Sequence, residues 1–136
     1  MLYCSISYLC IKTVSFNGHC EYVVPESVFD ILLKAAVKSI KVDEVWYLEK
    51  YPDVNQGVKE GGDSNAADHY RRYGYKENRQ PHPIAVDQDY YLETNPDVAE
   101  ALKLGLVKSA QDHFDGAGFA EGRLPYATYS LFQAEQ

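Results

Sequence analysis

The stretch Val86–Pro125, VDQDYYLETNPDVAEALKLGLVKSAQDHFDGAGFAEGRLP, decides the fold, because Val42–Pro81, VDEVWYLEKYPDVNQGVKEGGDSNAADHYRRYGYKENRQP, is its copy. The two align without a gap, 44 positions apart. Aromatic matches join Trp46 to Tyr90, Tyr70 to Phe114 and Tyr75 to Phe119. A period of this order marks tandem structural units, each of which buries its apolar face against a neighbour.

Each copy reads as three short helices. Asp43 and Asp87 are placed as N-caps, their carboxylates able to accept from open N–H groups of the first turn. Val42 and Val86 precede the caps, and Tyr47 and Tyr91 follow four residues later, which is the spacing of a hydrophobic staple. Pro52 and Pro96 open a second helix, with Asn95 as the cap in the second copy. Gly61 and Gly105 are natural C-terminal stops. Asn65 and Ser109 cap a third helix, and Asp68 and Asp112, three residues on, give a capping-box spacing with a shorter acid than usual. Gly74 and Gly118 read as its end. A turn then leads to Pro81 or Pro125, and Pro81-His82-Pro83 is a stiff link between the copies.

Residues 1–24 carry a different pattern. Tyr8–Phe16 is rich in β-formers, Asn17-Gly18 is a hairpin signal and Cys20–Val24 returns. Residues 25–41 form one longer helix, opened by Pro25, with Phe29, Leu32, Leu33, Ala36, Val37 and Ile40 on a single core-facing stripe. The tail, residues 126–136, retains Tyr129, Leu131 and Phe132 and is expected to be a last short helix over the end of the array. The expected fold is mainly α: an N-terminal β-hairpin plus one longer helix, followed by repeat 1 (residues 42–81) and linker with repeat 2 (residues 82–125), all in one compact domain.

Composition narrows the function. The net charge of −7 opposes binding to nucleic acid or to anionic membrane surfaces. Leu2–Ile11 is apolar but too short to span a bilayer, and no signal-peptide pattern surrounds it. Cys4, Cys10 and Cys20 match no zinc or redox spacing, and three reduced thiols in a cytoplasmic protein are expected. Twelve tyrosines suit either a core or an aromatic binding surface, since tyrosine joins an apolar body to a polar tip.

The reactive residue types acquire local roles. His69 and His113 follow an Asp, but adjacent helical side chains diverge, so no Asp–His dyad forms. A histidine beneath the glycine turn, hydrogen-bonded to backbone, is expected. Glu77 with Arg79 and Glu121 with Arg123 suggest fixed ion pairs, or arginines on helix carbonyls. Asp53 and Asp97 suit a helix N-terminus. No nucleophile–base pair, metal set or phosphate loop is present, so no catalytic residue, metal or cofactor is expected.

One difference between the copies bears on function. Arg71, Arg72, Tyr73 and Lys76 stand where the second copy has Asp115, Gly116, Ala117 and Ala120. A basic and aromatic face in an acidic protein is a candidate contact for an acidic partner or an anionic ligand.

The motifs YLETNPDV and HFDGAGFAEGRLP also resemble a bacterial repeat, YL-x-x-NPDV followed by HF-x-x-x-G-x-x-EGR-x-P. That repeat stands alone in small proteins or is appended to polysaccharide-related glycosyltransferases and secreted multidomain proteins. The resemblance covers Val42–Pro125, and the first copy departs from it at Tyr51 and Asn78. It implies an accessory module near polysaccharide-related machinery and assigns no catalytic residue. The expected function is therefore a non-enzymatic protein-interaction or scaffold module, with a homo-oligomer or another protein as partner. The alternative is a module binding a glycan or small polar ligand through its Tyr/Trp clusters.

Overall fold

A computed structural model describes residues 11–14 and 20–132. It is mainly helical, with one short strand pair. The chain divides into two compact units, 1–39 and 40–136, rather than the single domain expected.

In the first unit, β1 (Ile11–Val14) pairs antiparallel with β2 (Cys20–Val23), Ile11 opposite Val23 and Val14 opposite Cys20. The Asn17-Gly18 turn, Cys4 and Cys10 lie outside the described residues. Helix α1 (Glu26–Lys38) follows, with Pro25 as the residue before its first turn and Pro25 O accepting from Val28 and Phe29. The expected stripe is only partly covered. Val37 and Ile40 are buried, but Phe29 is 53% exposed and Leu32 42%, while Val28, outside the stripe, is buried. A hairpin and one helix offer too little surface to cover a whole apolar helical face.

The second unit holds the repeats. Repeat 1 contains α2 (Glu44–Lys50), α3 (Pro52–Lys59) and α4 (Ala66–His69), the last running on into a π-helical turn at Tyr70–Gly74. Repeat 2 contains α5 (Gln88–Thr94), α6 (Pro96–Lys103), α7 (Ala110–His113) and its own π turn at Phe114–Gly118. The caps act as expected. Asp43 accepts from Trp46 N, Asp87 from Tyr90 N, Asn65 from Asp68 N and Ser109 from Asp112 N, at 2.8–3.1 Å. Gly61 and Gly105 take positive φ (79° and 71°), the left-handed stop that favours glycine. Each repeat closes on itself, because Asp43 N donates to Pro81 O and Asp87 N to Pro125 O, both at 3.0 Å. No described helix is long and apolar enough to cross a membrane.

Three local expectations need correction. Asn95 stands at the N-cap position of α6, but its side chain bonds no N–H of the first turn; its amide donates to Tyr91 O in α5 instead. Asp68 reaches back to Ser64 N, one residue before the cap, at 3.4 Å, so the capping box does not close on Asn65. The tail Tyr126–Phe132 runs as turns, not as a helix.

Gly74 and Gly118 do not end the third helices either. The chain continues in helical conformation through Tyr75 and Phe119. Both glycines are buried where a tyrosine hydroxyl arrives from the first helix of the repeat: a Cβ on Gly74 would collide with Tyr47 Oη, and one on Gly118 with Tyr91 Oη. The wide π turn, with Tyr75 N bonded to Tyr70 O and Phe119 N to Phe114 O at 2.9 Å, surrounds that contact. Tyr47 and Tyr91 are fully buried, and each meets the next aromatic edge-on, Tyr70 or Phe114, at 5.9 Å. Overpacking a filled core costs about 1–3 kcal/mol. Gly74→Ala and Gly118→Ala are each expected to lose stability in that range by urea denaturation. Tyr47→Phe, which removes the clashing oxygen, is expected to recover part of the Gly74→Ala loss. An unchanged midpoint in Gly74→Ala would refute the close-approach role.

Candidate functional site

The two histidines are built into the same interior. His69 Nδ1 lies 3.2 Å from Tyr47 Oη and His113 Nδ1 lies 3.0 Å from Tyr91 Oη. The partner is thus a phenol 22 residues earlier, not the backbone expected from sequence. Burial pushes the phenols of Tyr47 and Tyr91 up, so both stay protonated at neutral pH. A neutral phenol holding an imidazole orients the ring; it does not activate a nucleophile.

The arginines at the repeat ends make the strongest polar ties. Arg79 forks onto Asp53 at 3.0 and 2.7 Å and gives its Nε to Glu77 at 2.7 Å. Arg123 repeats this on Asp97 at 2.9 and 2.7 Å and on Glu121 at 2.6 Å. Asp53 and Asp97 therefore do more than suit a helix N-terminus: they anchor the closing turn 26 residues later. The two places where the first copy departs from the repeat pattern leave the geometry unchanged. Asn78 takes the same left-handed conformation (φ 55°) as Gly122 (φ 74°). Tyr51 lies under the Arg79 guanidinium at 4.9 Å, where Asn95 instead accepts from Arg123 at 2.9 Å.

A polar chain joins the two repeats. Buried Gln80 accepts from Lys50 Nζ at 3.1 Å and donates to Asp115 at 3.1 Å. Asp115 also accepts from Gln111, which in turn bonds Ile84 O and Val86 N and so pins the linker. Asp115 is the position that Arg71 fills in repeat 1, and Gln111 the position that Ala67 fills. Sequence comparison singled out the first of these but could not show that it is a docking position, because the Gln80–Asp115 contact spans 35 residues.

The four candidate contact residues have different surroundings. Arg71 is exposed and makes no ion pair among the described residues. Arg72 is held by Asp63 at 3.1 Å and Asp68 at 3.7 Å, stacks on Tyr73 at 5.0 Å and donates to its hydroxyl at 3.1 Å. Tyr73 is 45% exposed and packs on His69 at 5.6 Å. Lys76 lines a cavity between the repeats, beside Tyr75 and Phe119. Among the described residues, no group of three or more His, Cys, Asp or Glu could hold a metal ion.

The guanidinium of Arg123 beside Asp97 holds that carboxyl at about 2, and Arg79 lowers Asp53 below the usual carboxylate range. The folded state therefore binds fewer protons than the unfolded one, whose carboxyls titrate near ~3.9. The ties contribute fully above that pH and are lost as the pH falls toward about 2. Thermal melts between pH 5 and pH 2 are expected to show wild type converging on Asp97→Asn as acid is added. A difference independent of pH would refute it. Compared with known proteins, the chain matches no family model, no curated protein and no solved structure.

Proposed function

We propose that this chain is a non-enzymatic interaction module that takes an acidic surface of another protein through the docking face of its first repeat, in the cytoplasm. The supporting observation is the joint between the repeats. Repeat 2 meets repeat 1 through Asp115, bonded to Gln80, and the same position in repeat 1 is the exposed Arg71. A face already shaped to receive a neighbour is thus left open with its charge reversed, from carboxylate to guanidinium. Arg71 is the primary contact, because its guanidinium retains all its donors for a carboxylate fork. Arg72 and Tyr73 flank it as a pre-ordered pair, and Lys76 adds positive charge nearby in sequence. The module also self-associates as a homo-oligomer. In support, five of the large exposed apolar side chains fall between Tyr22 and Leu32: Tyr22, Val23, Phe29, Ile31 and Leu32. The resemblance of the repeats to a bacterial accessory repeat points to a partner in polysaccharide-related machinery.

Affinity capture with the full chain, compared with Arg71→Glu, tests the reading. Reversing one exposed charge leaves the circular-dichroism spectrum and Tm unchanged, because Arg71 holds nothing inside the repeat. The captured acidic protein is expected to be lost from Arg71→Glu and retained by Arg71→Lys. Equal recovery by wild type and Arg71→Glu would sink the proposal.

A further inference from the structure

The closing turns of the two repeats meet at a cavity of about 350 Å³ whose walls do not include Arg71. This falls within the range of about 300–1,000 Å³ typical of small-molecule sites. Tyr75, Lys76, Asn78 and Arg79 come from the first turn, and Phe119 and Arg123 from the second. The walls are duplicated, but their chemistry is not. Tyr75 corresponds to Phe119 and Arg79 to Arg123, whereas Lys76 and Asn78 stand where the second copy has Ala120 and Gly122. Gly122 makes the same left-handed turn as Asn78, so the backbone does not account for the Asn78 amide. The polar groups of these walls are mostly donors. Lys76 makes no ion pair among the described residues. Asn78 is bonded there through its backbone N–H, to Tyr75 O, and not through its side chain. Arg79 uses three of its five N–H groups, on Asp53 and Glu77. Arg123 uses four, on Asp97, Glu121 and Asn95. Two N–H groups of Arg79 and one of Arg123 remain, and among the described residues lining the cavity none is a carboxylate.

We propose that this cavity binds a small monocarboxylate with a flat apolar body, its carboxylate held by Lys76, Asn78 and the remaining N–H groups of Arg79. An ionised carboxylate only accepts hydrogen bonds, so it complements walls that offer donors and no acid. Its single charge follows from the local balance. Arg79 is paired with Asp53 and Glu77, and Arg123 with Asp97 and Glu121. The arginines therefore supply directed donors without net positive charge, and Lys76 is the lining cation with no ion pair among the described residues. One such charge matches a monoanion. A dianion would meet the field of the four carboxylates that stand behind the arginines. The apolar body follows from the rest of the lining. Tyr75 and Phe119 are aromatic, and Leu124 and Leu131 are aliphatic, which suits a planar ring. A lysine on an open surface holds an anion weakly; here several donors and an apolar wall border one concavity.

This site goes beyond the interaction face, and its test needs no protein partner. Full-length ¹⁵N-labelled protein is titrated at constant ionic strength with benzoate, with benzamide as the uncharged ring of the same shape, and with inorganic phosphate. Benzoate is expected to shift the amides of Lys76, Asn78, Gly122 and Leu131 saturably, with a Kd of about 1–10 mM. Benzamide and phosphate are expected to shift them more weakly. Lys76→Gln is expected to keep Tm, because the ammonium holds nothing among the described residues, while weakening benzoate about fivefold or more. Asn78→Gly keeps the turn, as Gly122 does, and is also expected to weaken benzoate. Arg71→Glu, which tests the interaction face, is expected to bind benzoate as wild type does. Four results would each overturn the proposal: no saturable shift from benzoate, shifts from benzamide or phosphate as strong as those from benzoate, unaltered binding by both Lys76→Gln and Asn78→Gly, or loss of benzoate from Arg71→Glu.

Discussion

A buried phenol in each repeat sets the terms for everything around it. Tyr47 and Tyr91 are fully enclosed at the meeting point of the first and third helices. A tyrosine so placed needs a partner for its hydroxyl, and among the described residues that partner is an imidazole on the third helix. To reach it, the oxygen must pass where a Cβ would otherwise stand, so the next turn carries Gly74 or Gly118. The same turn widens to a π-helix. Tyrosine, histidine and glycine are thus one unit of packing, and none can be exchanged independently of the other two.

The rest of each repeat keeps that unit closed. The arginine fork on Asp53 or Asp97 ties the closing turn to the N-terminus of the second helix, where a carboxylate is also favoured by the helix dipole. The carbonyl of Pro81 or Pro125 ties the end of the repeat to its start. These ties tolerate chemical variation provided the geometry is met. Tyr51 supports Arg79 with its ring face, and Asn95 supports Arg123 with its amide oxygen. Asn78 adopts the backbone conformation that Gly122 adopts.

The parts of this architecture that were legible in sequence are those decided within a few residues. The Asp and Asn/Ser caps, the proline starts and the left-handed stops at Gly61 and Gly105 all depend on the local backbone alone. Glycine is ambiguous in a way that sequence does not resolve, because a stop and a close approach use the same residue; Gly74 and Gly118 read as the first and are the second. Partners 22 to 35 residues away were out of reach. That is why the histidines seemed to need backbone acceptors, why Asp53 and Asp97 seemed to need only a helix dipole, and why Asp115 could not be recognised as a joint. The stripe on α1 was misjudged for another reason: periodicity shows that a face is apolar, not how much neighbouring surface exists to cover it.

Duplication separates two kinds of position. Where the copies agree, the residue is committed to the interior or to a tie within its own repeat. Some differing positions still serve the same tie, as Tyr51 and Asn95 do, while at others, such as Asp115 and Arg71, one copy faces its sibling and the other does not. Gln80 and Asp115 meet across the joint, and their counterparts, Leu124 and Arg71, could not form that contact with a further identical repeat. Leu124 offers no amide, and Arg71 would place a cation against the Lys50–Gln80 pair. That pairing is therefore specific to the joint between these two repeats, and Leu124 and Arg71 are free to carry chemistry that the joint does not need. The cavity belongs to neither kind. It exists only because two repeats and the tail come together, with Tyr75 from the first, Phe119 from the second and Leu131 from the tail in its walls.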